Sequence, residues 1–405
     1  MRIKQDVQDV IEYCKKTNLF VVGTKLRKRN PVNALYADVK PEKTNSSHLY
    51  RDRNTFLYDN CETSSDEIVK GRRPIYFFAK TYNLAFCKAP KAGSTFVGTV
   101  VAALELSGEL GNLFHINREI VHGLNEVTFP TISRFNDVKT VLVARNPYSR
   151  LFSAYIDKYF VLGARSKMIA IKKGKGRLKM GDGYCGYDIS FQEFLDYFTD
   201  RYIAGDVVEE HTVPVSSLCY PCIIHYDVLC KQETLTSDME HILDVINIST
   251  SKRKAIMSMI HSKTINDTIY AFISSHMLYF YLYPDDCLNE WLLMEKLWKV
   301  LQFQGYISLA LAFPANDFQK MTEFHAENVT DLILQKINSY PLSKSQRSTQ
   351  RERVLAHAYS SIKSSTLIRV QRMFAQDFHL FGYDTAVPND GNGRIEQDTL
   401  DRTSV

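Results

Sequence analysis

The chain of 405 residues is sparing with the residues that punctuate a fold: 18 glycines, 12 prolines and 2 tryptophans. Each Gly or Pro between apolar segments is therefore an informative break. Long apolar runs are missing. Nothing approaches the roughly 20 residues that cross a bilayer, and the N-terminal stretch holds only the short run Leu19–Val22, which excludes a signal peptide within it. A Walker A loop is missing too, and no acidic metal site stands out, which argues against a P-loop kinase. Neither sign of charge dominates: 50 basic and 45 acidic residues leave a net charge of +5. That is compatible with an acidic ligand, and no nucleic-acid partner is expected. Eight cysteines are present, but the one CxxC, Cys219 and Cys222, has no second pair at zinc spacing, with only His225 and Cys230 near. It precedes an apolar Ile223-Ile224, read as a strand, instead of opening a helix, so a redox dithiol is also disfavoured. A structural role, disulfides included, is expected, and no metal.

The 45% hydrophobic content, with 23 Tyr and 23 Phe, can fill a large core and suits a sheet-containing fold. The organising stretch is Leu84–Leu106. Leu84–Cys87 reads as a buried strand, Lys88-Ala89-Pro90-Lys91-Ala92-Gly93 as a tight loop, and Ser94 and Thr95 as caps for a helix. Phe96, Val97, Val100, Val101 and Leu104 draw that helix's apolar stripe. Free backbone N–H groups, the helix dipole and a lysine make such a junction suited to a phosphate or sulfate. A second junction follows. Val138–Ala144 is the clearest buried strand, and it runs into Arg145, the N-cap Asn146 and Pro147 at the first helical position. Ser153 lies two turns into that helix. In open α/β sheets ligands bind at the carboxyl ends of the strands, so two basic junctions there predict a ligand with two separated anionic groups.

Around these, residues 1–70 read as a stem or extension with one short helix near 5–15 and a basic patch at Lys25–Arg29. Residues 163–183 form a glycine-rich loop with seven basic residues between Arg165 and Lys179, suited to steering a polyanion. Phe191–Phe198 reads as an amphipathic helix. Ser237 and Glu240 read as a capping box for a helix through Ile246. Residues 251–345 carry no chemical motif and read as a helical elaboration, and residues 364–383 as a final helix. The end, 387–405, is polar and expected to be disordered. Sequons at Asn45, Asn247, Asn266 and Asn328 hint at a secretory lumen.

Two motifs together point to one family. CKAPKAGST (87–95) resembles the 5′-phosphosulfate loop of sulfotransferases, and VARNPYSRLFSAYIDKY (143–159) their 3′-phosphate motif. The ordered pieces EEHTVPVSSLCYPCIIHYD (209–227), ETLTSD (233–238) and FAQDFHLFGYD (374–384) are similar to the Golgi carbohydrate branch holding chondroitin, dermatan and N-acetylgalactosamine 4-sulfotransferases. Thr212 stands where that branch has a tryptophan. The resemblance implies an α/β fold with a central, mostly parallel sheet flanked by helices, P-loop-like, spanning 71–386 with the helical insertion inside it. It implies transfer of a sulfonate group from 3′-phosphoadenosine-5′-phosphosulfate to a sugar hydroxyl of a glycan or glycosaminoglycan, without a metal. The implied donor site is Lys88, Ala89, Pro90, Lys91, Ala92, Gly93, Ser94 and Thr95 with Arg145, Arg150 and Ser153, and Lys91 is also catalytic. The general base is a histidine, His122 first and His211 second, with His115 a further candidate. The implied location is the Golgi lumen. The membrane anchor usual in the branch is not in this chain and is expected upstream of Met1. The alternative is an inactive relative that binds acidic glycans.

Overall fold

The computed structural model describes residues 46–61 and 73–389, apart from 108–109, 111–112, 117, 133–134, 163–168, 170–188, 207, 283–287 and 322. The helix expected near 5–15, the Lys25–Arg29 patch, the basic residues 165–179 and the tail from 390 lie outside the described residues.

Five strands form one sheet: β1 (Ile75–Ala79), β2 (Leu84–Cys87), β3 (Glu126–Thr128), β4 (Lys139–Ala144) and β5 (Val228–Lys231), in the order β3-β1-β2-β4-β5. The β2–β4 and β4–β5 pairs are parallel, while β1 runs antiparallel to both β2 and β3. The sheet is thus mixed, not mostly parallel as expected. The four-residue link Lys80–Asn83 is too short for a crossover and can only return the chain as a hairpin. Its turn closes with Asn83 in the left-handed region at φ 48°. Leu84, Ala85, Phe86, Leu142 and Ala144 are fully buried, as expected of central strands covered on both faces.

The parallel half positions the two junctions. Val141 pairs with both Phe86 and Val228, and Ala144 lies opposite Lys231. The segments that leave β2, β4 and β5 therefore emerge side by side. After β2 the loop 88–93 leads into α2 (Ser94–Glu105). After β4 comes α4 (Pro147–Tyr155), capped as expected: the Asn146 side chain accepts from the N–H groups of Tyr148 and Ser149, with Pro147 at the first position. That helix widens into a π turn over Ile156–Phe160.

Several local expectations are corrected. The N-cap of α2 is Gly93, with no side-chain bond, so Ser94 and Thr95 are already helical and their hydroxyls point elsewhere. The helix Leu235–Val245 begins before Ser237, whose hydroxyl donates to the Thr234 carbonyl instead of forming a capping box. Ile223 and Ile224 lie in a turn, because Tyr220 at φ 48° ends the preceding helix and its carbonyl accepts from both of their N–H groups. The helix at 191 runs on to Ile203, with Ser190 and Glu193 forming a capping box. The C-terminal helical stretch divides into Ser364–Met373 and Ala375–Phe381.

Part of the 1–70 extension is integral to the core. Ser46–Cys61 (α1) is a helix whose Tyr50 and Leu57 are buried. Tyr50 and Arg53 bond the Asp238 carboxylate, and the Asn54 amide donates to the Asp227 carbonyl. The CxxC cysteines bond outward to distant partners: Cys222 to Cys61, and Cys219 to Cys87 at the end of β2. The described part of 251–345 is helical, chiefly Thr250–Ser262, Ile265–Leu282, Glu290–Phe303 and Ala326–Ser339.

Candidate active site

A cavity of about 970 Å³ opens where β2, β4 and β5 end. Its lining includes Lys88, Lys91, Gly93, Ser94, Thr95, Arg118, His122, Arg145, Ser153, Asp157, Lys158 and His211. A second cavity of about 870 Å³ shares Thr95, Phe96, Arg118, Arg145 and Ser153 with it and continues over Phe152, Phe272, Phe303 and Tyr306. The two form one cleft.

The β2–α2 loop is built to face that cleft. Lys91 sits at φ 66° and Gly93 at φ 82°. The left-handed region costs a residue with a Cβ about 1–2 kcal/mol, so Lys91 must be held there, and Arg145 donates to its carbonyl at 2.7 Å. At Gly93 a Cβ would be strained by φ and would also force the Leu235 side chain to shift. The first four N–H groups of an α-helix have no intrahelical acceptor, and here these belong to the N-cap Gly93 and to Ser94, Thr95 and Phe96. The Ala92 N–H is already bonded to the Ala89 carbonyl at 3.2 Å.

Lys91 is paired with Asp157. Burial pulls its ammonium down to about 7, against the opposing pull of Asp157. Asp157 also takes Arg118 at 2.7 Å, has Lys158 at 3.8 Å and meets the His276 ring at 3.3 Å. Burial alone would push its carboxyl up, but Arg118, Lys91 and the other partners together hold it well below the usual range. One carboxylate thus anchors three basic side chains, all of which line the cleft. At the far end Arg145 is lowered by burial, and its Nε is enclosed without a hydrogen-bond partner among the described residues. An enclosed guanidinium N–H of this kind is costly unless an acceptor arrives.

Three histidines line the cleft: His122, His211 and His261, the last of them exposed and 3.4 Å from Glu240. His122, on the short helix α3 (Arg118–Gly123), has its Nε2 2.9 Å from the Thr95 hydroxyl. His211 is clamped by Glu209, whose carboxylate takes the His211 backbone N–H at 3.0 Å and the ring Nδ1. Burial lowers the His211 ring, with Glu209 opposing, so the neutral imidazole is favoured. Ligand atoms of Glu209, Glu210 and His211 lie within 4.8 Å of one another, but the Glu209 carboxylate is already occupied by His211. His115, in contrast, pairs with Asp267 and stacks on Tyr270, and it does not line either cavity.

Not every expected donor residue reaches the cleft. Arg150 is fully buried, and its guanidinium donates only to backbone carbonyls, those of Pro90, Val213 and Glu210. Burial lowers it to about 10. It braces the 88–93 loop against the 209–214 segment and lies away from the cavity lining. Ala89, Pro90 and Ala92 are buried loop framework. Lys88 lines the cleft with its ammonium paired to Glu126 and 5.6 Å from the centre of the Phe77 ring. Sequence reasoning passed over Arg118, Asp157 and His276. Asp157 had a signal, since it lies four residues after Ser153 and hence on the same helical face; Arg118 and His276 had none.

Fold and cleft define an α/β protein with a cleft lined by basic side chains at the carboxyl ends of its parallel strands. The chain belongs to the sulfotransferase family, which matches residues 74–281. It is similar to carbohydrate sulfotransferase 11 of Mus musculus, at 27% identity over 269 residues, 60% of this chain and 75% of that protein. It is likewise similar to carbohydrate sulfotransferase 9 of Homo sapiens (27% over 237 residues, 54% and 52%) and carbohydrate sulfotransferase 10 of Xenopus laevis (28% over 225 residues, 48% and 61%). No solved structure matches the chain significantly.

Proposed function

We propose that this protein is a carbohydrate O-sulfotransferase that moves a sulfonate group from 3′-phosphoadenosine-5′-phosphosulfate to a sugar hydroxyl. The observation that carries this reading is the convergence of Lys91, Arg118 and Arg145 on one cleft, with the Arg145 Nε awaiting an acceptor. The names of the similar proteins support the carbohydrate acceptor. In this reading the 88–95 loop acts as a P-loop-like cradle. Lys91 and the N–H groups of Gly93, Ser94 and Thr95 meet the 5′-phosphosulfate, and Arg145 and Ser153 hold the 3′-phosphate.

In the reaction the acceptor oxygen attacks sulfur, the bond from sulfur to the phosphate oxygen breaks, and the hydroxyl proton goes to a base. Lys91, turning from Asp157 to the bridging oxygen, stabilises charge as the phosphate departs. We assign the base to His211. Glu209 fixes its Nδ1–H, which leaves Nε2 to accept a proton and steadies the imidazolium that results. His122, the first candidate from sequence, is then a partner of Thr95. The two disulfides and the exposed sequons Asn247, Asn266 and Asn328 support a secretory-lumen enzyme, with the Golgi as the proposed site.

Labelled-sulfate transfer to desulfated chondroitin, dermatan and N-acetylgalactosamine-terminated acceptors tests the activity. Binding without transfer would instead make the protein a glycan-binding relative. His211→Ala should lose roughly 10²–10⁴ in turnover while still binding adenosine 3′,5′-bisphosphate. Normal turnover in that variant, with the loss found in His122→Ala, would move the role to His122.

A further inference from the structure

His276 lies on Ile265–Leu282, in the helical segment that carries no motif, yet its ring is fully buried beneath the donor loop. Nε2 is 3.1 Å from the Asp157 backbone carbonyl and 3.3 Å from its carboxylate oxygen Oδ1. Nδ1 is 2.8 Å from the Phe272 carbonyl, one turn back on its own helix. Each ring nitrogen faces an oxygen acceptor, and burial favours the neutral ring, which has a single N–H. Nε2 has two acceptors within 3.3 Å, one of them a carboxylate, against one for Nδ1, which favours the tautomer that carries its proton on Nε2 and donates to Asp157.

Asp157 is the carboxylate that holds Lys91. The charged and titratable groups around it are Lys91 from the donor loop, Arg118 from the helix Arg118–Gly123, Lys158 from its own π turn, and His276 from Ile265–Leu282. A carboxylate has about four lone-pair sites to share. Each donor that fixes it in place draws electron density from the bond to Lys91. Lys91 is the one partner that must leave this carboxylate to meet an incoming anion.

We propose that His276 is a positioning residue for the transfer reaction: by donating to Asp157 from below, it sets the carboxylate's orientation and weakens its grip on Lys91. The inference rests on the reading of Lys91 as the group that meets the 5′-phosphosulfate. It gives the helical segment a part in the chemistry, reached through Asp157 and without contact to the donor.

Removing the ring's N–H should leave Asp157 bound more tightly to Lys91. The ammonium then becomes more basic and slower to turn. His276→Phe and His276→Leu are expected to lower kcat at least tenfold with a smaller change in the donor KM. They should also shift the alkaline fall of kcat/KM to higher pH. His276→Gln, which keeps an N–H for Asp157, should return both to within about threefold of the parent. Thermal melts establish that each variant is folded. A role in packing alone would lower the melting temperature and leave the alkaline limb in place, and that result overturns the proposal.

Should neither apolar variant fold, the parent decides. Nitrogen-15 NMR of histidine-labelled protein, assigned through the Gln variant, should show the His276 Nε2 protonated at neutral pH, and a bare Nε2 overturns the proposal. Lys91→Ala separates the two readings. If it transfers sulfonate as well as the parent, the role of Lys91 fails and this proposal falls with it. If it is inactive while the limb of His276→Phe is unmoved, only the positioning role fails.

Discussion

At the scale of single residues, Arg145 does two things at once. It lines both cavities, and its NH1 holds the carbonyl of Lys91, a residue at φ 66°. A residue that only bound the 3′-phosphate would change donor affinity alone. Arg145→Ala is therefore expected to weaken adenosine 3′,5′-bisphosphate and also to lower kcat, because the lysine's backbone is no longer pinned. A charge-assisted bond is worth about 1.5–3 kcal/mol, which is roughly 10- to 150-fold in affinity by calorimetry. Unchanged affinity would remove Arg145 from the donor site.

Lys91 carries its own pH signature. Burial lowers its ammonium to about 7. Only the protonated form attracts the donor's anionic end, so kcat/KM for the donor should fall as pH rises through about 7, the free-enzyme value being the one such a profile reports. A profile flat from pH 6 to 9 would show that Lys91 is not the cation the donor needs.

At the scale of elements, the two disulfides have different duties. Cys61–Cys222 spans 161 residues and ties α1 to the segment before β5. Cys87–Cys219 spans 132 residues and ends one residue before the donor loop. Loop-closure entropy makes each worth roughly 2–5 kcal/mol of stability, so both Cys→Ser pairs should lower Tm. The Cys61→Ser/Cys222→Ser pair should keep donor affinity, while Cys87→Ser/Cys219→Ser should lose some, because Lys88 to Gly93 hang from the bridged end of β2. Equal donor affinity in the two variants would mean that the strand holds the loop without its bridge.

The π turn after α4 is the other element with a consequence. A regular helix would carry Ser153 and Asp157 along one straight stripe. The widened turn at Ile156–Phe160 buries Asp157 and Lys158 between the donor loop and the insertion helix. Such turns occur often at functional sites.

For the whole molecule, the sequons at Asn247, Asn266 and Asn328 all present exposed asparagines. Expressed through a secretory route, the protein is expected to lose mass on treatment with a peptide N-glycosidase. No change in mass would leave the disulfides alone as support for a lumenal location.

Much of the framework of the candidate site was legible in the chain itself. Local order suffices for strand, loop and helix: the apolar run Val138–Ala144, the Asn146 cap and the proline after it form their junction whatever lies around them. The punctuated loop 88–93 was legible for the same reason, since Pro90 and Gly93 act on backbone geometry nearby. What only the tertiary structure decided depends on partners far apart in the chain. Arg150, inside the recognisable motif, turned out to be a brace because three carbonyls from two other segments surround it. The antiparallel β1 was within reach of the sequence, since the four-residue link Lys80–Asn83 allows only a hairpin; the apolar pattern alone does not encode that direction. Asp157, Arg118 and His276 come from positions 118 to 276, and no spacing or composition relates them. Their meeting is set by burial, which forces one carboxylate to collect every donor within reach.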